Sequence, residues 1–382
     1  MIRPYRINVP DSQMDDLKHR LDATRWASAL ADSGWTLGMD DGFLRSLCAY
    51  WRHEFSWPSV EARLNRYRQF NADIGEQTIH FVHIRSNDVN AVPIVLTHGW
   101  PSTFAELLAL GEMLANPAPS DRAPSFNVVI PSLPGFPLSA APSRLGLSVF
   151  EIADLWAQLM ERLGYPKFYA HGGDIGAAVS TALALRHPDL LFGLHMNYVP
   201  GSYRPHVANP ADLVDEERAF FERRAAWTEA EGAYAHVQST KPDTLGPALN
   251  DSPVGLAAWI AEKYRSWSDC SGDVERRFSK TELLTTISLY WFTQSMPSAI
   301  RLYWETRQRP MQFVDGQSVT VPVGIAHFPR ELPIPPRAYV ERGYRVTHWS
   351  EMARGGHFAA AEEPALLAQD IRAFCQQVGY SA

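Results

Sequence analysis

Cysteine is scarce in this chain. Cys48, Cys270 and Cys375 are the three in 382 residues, and their wide spacing builds neither a disulfide framework nor a zinc site. They read as buried or indifferent thiols of a reducing compartment. Long apolar runs are missing too. Nothing approaches the roughly 18 consecutive apolar residues that a membrane-spanning helix needs, and residues 1–13 lack the apolar core of a signal peptide. A cytoplasmic protein without a membrane anchor is expected. No block of like charge occurs, and the net charge is −7, which argues against nucleic acid or an anionic membrane as a partner. There is no internal repeat and no low-complexity tract. What is present is an ordinary globular composition, 46% hydrophobic and 20% charged, with ample material for a large core.

Texture along the chain suggests four regions. Residues 1–90 begin with helical spacing at Met14, Leu17 and Leu21, with Asp11 and Ser12 as cap candidates, and a second helix is expected from Gly42 to Phe55. They end in an alternating stretch, Thr78–Ile84, that reads as a half-buried strand. Residues 91–199 alternate strand and helix: Pro93–Thr97, Phe126–Ile130 and Lys167–His171 are short apolar strands, and Ser148–Leu163 is an amphipathic helix. Such alternation predicts a mostly parallel sheet covered on both faces. Residues 200–310 lose the strand signals, gain helical segments and are dense in aromatics, as a lid or cap would be. Strand texture returns in 311–382 at Val321–Ala326 and Tyr344–His348. Ligands of open α/β sheets bind beyond the carboxyl ends of the strands, so chemistry is expected just after Thr97, His171, Ala326 and Trp349.

After the third of these strands stands Gly172-Gly173-Asp174-Ile175-Gly176, leading into a helix. This is the glycine-flanked nucleophile elbow of the α/β-hydrolase fold, with aspartate where many have serine. The helix dipole favours an ionised carboxylate there. With a pKa near about 4, a carboxylate needs no histidine to activate it; it attacks saturated carbon and forms an alkyl ester. Epoxides and alkyl halides are the matching electrophiles.

Hydrolysis of that ester needs a base. His357 lies in the loop after the last strand, and Glu331 follows the preceding strand. The order Asp174, Glu331, His357 is the nucleophile–acid–histidine order of this fold; Asp315 and Glu341 compete for the acid position but are worse placed. In this reading His357 takes a proton from water, Glu331 orients the imidazole, and the oxyanion is held by the backbone N–H groups of Ile175 and Trp100, the latter in the loop His98-Gly99-Trp100-Pro101. Ring opening also calls for an acid such as tyrosine, and the residues alone do not single one out among the many of the cap. No metal and no organic cofactor is required.

These motifs together resemble the microsomal-type epoxide hydrolases, the family that includes the juvenile-hormone epoxide hydrolases. The resemblance runs from residues 4–10 and Arg25-Trp26 through His98–Pro101, Gly172–Asp174, the cap stretches 239–244 and 249–258, and the histidine loop Arg354–Ala360. It implies an α/β-hydrolase fold with a helical cap and an N-terminal helical extension. It assigns Tyr234 and Tyr303 as the proton donors to the epoxide oxygen, and it supports Glu331. It departs at Ser102, where the family usually has glycine, and at Ile175, where tryptophan is common. Trp100, Ile175 and Phe358 are expected to line the substrate pocket, and the smaller Ile175 points to an altered, roomier one.

The expected activity is conversion of an epoxide and water to a vicinal diol. The partner is a small-molecule epoxide, bulky and apolar or aromatic, in detoxification or in biosynthesis. A dehalogenase with the same Asp/Glu/His set, a catalytically silent binding module on the same fold, and an unusual epoxide-opening cyclase are the alternatives. The sequence leaves homo-oligomerisation open.

Overall fold

The computed structural model describes residues 1–117 and 124–379. Nine strands form one sheet: β1 (Ile2–Tyr5), β2 (Gln69–Ile74), β3 (Gln77–Ile84), β4 (Val92–Thr97), β5 (Phe126–Pro131), β6 (Phe168–Gly172), β7 (Leu191–Met196), β8 (Val319–His327) and β9 (Tyr344–Glu351). Their spatial order is β1-β2-β3-β5-β4-β6-β7-β8-β9. The first three strands and the β3–β5 pair are antiparallel; every pair from β5 to β9 is parallel. The central strands β4 and β5 read as nearly continuous apolar runs, as strands covered on both faces do. This is the α/β-hydrolase fold.

Three strands went unread in the sequence, each for a local reason. β1 is a short outermost strand that carries Pro4, tolerated only at an edge. β2, Gln-Phe-Asn-Ala-Asp-Ile, has too many polar residues to look like a strand and gains its pairing from β1 and β3. β7 contains Gly193 and His195 and follows the preceding helix after one short turn. Residues 1–90 therefore contribute strands as well as helices. The first helix, Asp11–Asp22, is preceded by Pro10 and has no side-chain cap, contrary to the role expected for Asp11 and Ser12. Asp40 caps the second, Asp41–His53.

Six helices lie between β7 and β8, among them Asp215–Glu231, Ala233–Thr240, Pro253–Trp267 and Met296–Gln308. The N-terminal helices hold this layer from the outside. Arg20 Nη1 donates to the Asp251 carbonyl (2.9 Å) and carboxylate (2.8 Å), Tyr50 Oη lies 2.8 Å from Thr281 Oγ1, and Arg63 Nη2 donates to Thr285 Oγ1 at 3.2 Å. One helix is buried nearly all round, Ile175–Arg186. Its small residues Gly176, Ala177, Ala178, Ser180 and Ala182 let it press against the sheet centre, which fixes the turn at its N-terminus.

Candidate active site

Asp174 sits between β6 and that buried helix with φ of 48° and ψ of −125°, a left-handed conformation that costs an ordinary residue energy and persists only where its surroundings enforce it. The surroundings are tight. A Cβ on Gly172 would fall 2.2 Å from the Gly176 carbonyl oxygen, and one on Gly176 would fall 2.0 Å from that of Thr97. The glycines are thus demanded by contact with backbone that cannot yield. The result projects the Asp174 carboxylate beyond the end of the sheet.

The loop after β4 meets it there. Trp100 N–H donates to Asp174 Oδ1 at 2.7 Å, and the Trp100–Pro101 peptide is cis. Gly99 must be glycine, since a Cβ would lie 2.2 Å from the same carboxylate oxygen. Ile175 follows Asp174 as the first residue of the helix, so its N–H belongs to the first-turn amides that have no partner inside a helix. On the other side of the carboxylate, Oδ2 lies 3.5 Å from His357 Nε2. The opposite ring nitrogen, Nδ1, is bonded to Glu331 Oε1, which also accepts the Leu332 N–H at 2.7 Å. His357 and Glu331 side chains are 2% and 1% exposed, so this pair is out of reach of bulk water. Asp315 and Glu341 take no part: they face His206 at 3.9 Å and Arg337 at 2.7 Å.

Burial works against a charged imidazole, yet the carboxylates of Glu331 and Asp174 outweigh it and hold the His357 pKa up at about 10. Tyr234 and Tyr303 stand together across from Asp174, ring centroids 5.9 Å apart at 78°. Both hydroxyls are pushed well above the usual phenol range, Tyr234 by burial and then the Asp174 charge, Tyr303 by burial, Tyr234 and Asp174. They remain donors throughout the neutral range.

A cavity of about 620 Å³ opens over Asp174 and is lined by Ile175, Tyr234 and Tyr303 among others. Of the three residues expected to line it, Ile175 does. Trp100 is fully buried under Tyr234, stacked at 5.4 Å and 9°, with its indole N–H on Met296 Sδ at 3.4 Å. Phe358 stacks on Tyr264 at 4.2 Å and 4° and faces a second, smaller space. That second cavity, about 40 Å³, lies beside Asp174 and His357 and is lined by Glu106, His171 and Asn197. Glu106 accepts from Thr286 Oγ1 at 3.0 Å and from Tyr264 Oη, and burial raises its pKa.

Several of these groups were not singled out from the sequence. Asn197 and Tyr198 directly follow β7, so recognising that strand would have marked them as residues at a carboxyl end. Tyr198 presents its ring edge-on to His357 at 5.6 Å and 88°. Trp267 does the same from the cap, at 5.3 Å and 83°. Glu106 carries no local signal, since it is one carboxylate in an otherwise apolar turn, Phe104–Leu107. Among the described residues no group of three or more His, Cys, Asp or Glu could hold a metal ion, and no helix is long and apolar enough to cross a membrane.

Comparison with known proteins gives a consistent result. Residues 2–107 match the family described as epoxide hydrolase N terminus, and residues 92–230 match the alpha/beta hydrolase fold family. Epoxide hydrolase 1 of Sus scrofa is 36% identical over 400 residues, spanning 98% of this chain and 88% of that protein. The epoxide hydrolase of Aspergillus niger superposes with a TM-score of 0.86 at 32% identity, covering 99% of this chain and 97% of its own. The juvenile hormone epoxide hydrolase of the silkworm Bombyx mori does so with a TM-score of 0.86 at 30% identity, covering 99% and 94%.

Proposed function

The chain belongs to the epoxide hydrolase family, and from that premise we propose that it forms a vicinal diol through a covalent ester on Asp174. The observation that carries this reading is the position of the Asp174 carboxylate. It lies at the floor of a ligand-sized cavity with Tyr234 and Tyr303 opposite, a backbone N–H on one oxygen and an imidazole beside the other.

In the first step Asp174 Oδ2 attacks an epoxide carbon, the carbon–oxygen bond of the ring breaks, and the oxygen takes a proton from the tyrosine pair. Oδ1, held by Trp100 N–H, becomes the ester carbonyl oxygen. Esterification removes the Asp174 charge that helped to keep His357 protonated, so the imidazolium proton can pass to the tyrosinate. Neutral His357 then takes a proton from water as the water oxygen adds to the ester carbonyl carbon. The negative charge on Oδ1 is met by the N–H groups of Trp100 and Ile175. Collapse releases the diol and restores Asp174 and imidazolium, with no net gain or loss of protons. Glu331 keeps the ring oriented and stabilises its cation. A polar space of about 40 Å³ next to His357 is large enough to hold water, and Glu106 and Asn197 are suited to orienting it.

The substrate is a bulky, largely apolar epoxide. A cavity of about 620 Å³ falls in the range of small-molecule sites, and apart from its arginines its wall is mainly apolar and aromatic. The test is a single turnover of styrene oxide with excess enzyme in ¹⁸O-labelled water, followed by mass analysis of diol and digested protein. Label in the peptide containing Asp174, with an unlabelled first diol, supports the two-step route. Label passing directly to the diol would mean attack by water on the epoxide and would remove Asp174 from its role.

A further inference from the structure

Apart from Asp174, the wall of the large cavity carries formal charge of one sign, with Arg307 exposed at its edge. Arg204, Arg224 and Arg307 all line it, and Asp174, at the floor, is the sole carboxylate among its described lining residues. Arg204 and Arg224 are half-buried. Their hydrogen bonds go to backbone carbonyls, Arg204 Nη1 to Gly201 (3.3 Å) and Tyr203 (2.5 Å), Arg224 Nη2 to Gly201 (2.7 Å). No carboxylate comes within ion-pair distance of any of the three among the described residues.

Arg204 feels its burial and the like charge of Arg224, with only the phenols of Tyr339 and Tyr198 on the other side of the balance. Two half-buried guanidiniums side by side with no counter-charge are costly unless an anion joins them. Tyr198 lies within the field of both sets of charge, the carboxylates of Glu331 and Asp174 and the guanidiniums of Arg224 and Arg204. Guanidinium forks are matched in geometry to a carboxylate.

We infer that the substrate is amphiphilic: an epoxide on an apolar body whose far end carries a carboxylate, received by Arg204 and Arg224, with Arg307 at the rim. This rests on the epoxide hydrolase reading and narrows it from apolar epoxides in general to epoxy acids.

The experiment compares kcat/KM for the ω-epoxide of undecenoic acid and for its methyl ester, with styrene oxide as a neutral reference. The wild type is expected to prefer the acid by at least about tenfold, the effect of one charged hydrogen bond, and the preference should shrink with added salt. In the double variant Arg204→Met, Arg224→Met the acid-to-ester ratio should collapse toward one, and in Arg204→Lys, Arg224→Lys it should be largely restored. If the double variant fails to fold, the single variant Arg307→Ala, on an exposed residue, should lower the same ratio and its salt dependence. An acid no better than its ester in the wild type, or a ratio unmoved by the arginine variants, overturns the proposal while hydrolysis of styrene oxide leaves the underlying activity standing. If neither the reference nor the epoxy ester nor the epoxy acid is hydrolysed, the activity itself fails and the proposal fails with it.

Discussion

Nε2 of His357 lies 3.5 Å from Oδ2 of Asp174, so in the proposed mechanism one ring senses the Asp174 charge and acts on water once esterification has removed that charge. The two steps of the reaction can therefore be separated by removing the ring. In His357→Gln, Asp174 still opens the epoxide, but nothing takes the proton from water. Turnover should fall by about a thousandfold or more, as for loss of a histidine that acts as a unit with its partners. The protein should gain the mass of one epoxide within a single turnover. Loss of turnover without that added mass would place His357 in the first step instead.

In the proposed mechanism the tyrosine pair gives its proton to the oxygen released by ring opening and is reprotonated before the ester is hydrolysed. Tyr234→Phe and Tyr303→Phe should each slow ester formation, and the double variant should lose about a hundredfold to ten-thousandfold, the usual worth of general acid catalysis. Hydrolysis of an ester already formed should be much less affected. Because both hydroxyls are raised well above the ordinary phenol value near 10, by burial before any other cause, the wild type should show no loss of ring opening from tyrosine ionisation up to about pH 10. Stopped-flow tryptophan fluorescence can follow the two phases separately, with the stacked pair Trp100 and Tyr234 as a built-in reporter.

The elements that position this chemistry were legible in the sequence to different degrees. Residues 172–176 announce themselves because two glycines flank one charged residue between an apolar strand and a helix of small residues, a pattern that only a tight elbow requires. The helical texture of residues 215–231 and 297–307 matches the helices Asp215–Glu231 and Met296–Gln308. β1 and β2 do not, because their pairing is dictated by neighbours distant in sequence rather than by an alternating pattern of their own. The helices Ala233–Thr240 and Pro242–Asp251 were likewise unread: the second contains Gly246 and Pro247, and cap packing rather than propensity holds it. Glu106 was illegible for the same kind of reason. Its partners Thr286 and Tyr264 lie far along the chain, so no local spacing points to them.

Glu106 provides the next test. If the small cavity supplies the hydrolytic water, Glu106→Gln should slow hydrolysis of the ester and leave its formation nearly intact. The expected sign is a longer-lived covalent intermediate by quench-and-mass analysis, with kcat reduced about tenfold or more. Equal slowing of both phases would assign Glu106 to holding the loop after β4, through its contacts to Thr286 and Tyr264.

A last prediction concerns stability rather than turnover. Behind the elbow, His171 Nδ1 lies 3.0 Å from His195 Nδ1, His195 Nε2 lies 2.9 Å from Asp370 Oδ2, and His348 Nε2 lies 2.8 Å from Asp370 Oδ1. Burial would raise the Asp370 pKa, but hydrogen bonds from both histidines hold it well below the usual carboxylate range. The same hydrogen bond to Asp370 raises His348, with burial opposing it. A depressed carboxylate contributes stability above its unfolded value, about 3.9, and loses it as the pH falls below that. A raised histidine contributes fully below its unfolded value, about 6.5, and loses it as the pH rises through the folded one. The two windows overlap near pH 5. Asp370→Asn should therefore destabilise the fold by about 1–3 kcal/mol there, the cost of an imperfectly satisfied buried group. Its deficit in thermal midpoint against the wild type should narrow toward pH 3 and again above pH 7. A deficit that is the same at every pH would mean that Asp370 acts through packing and not through charge.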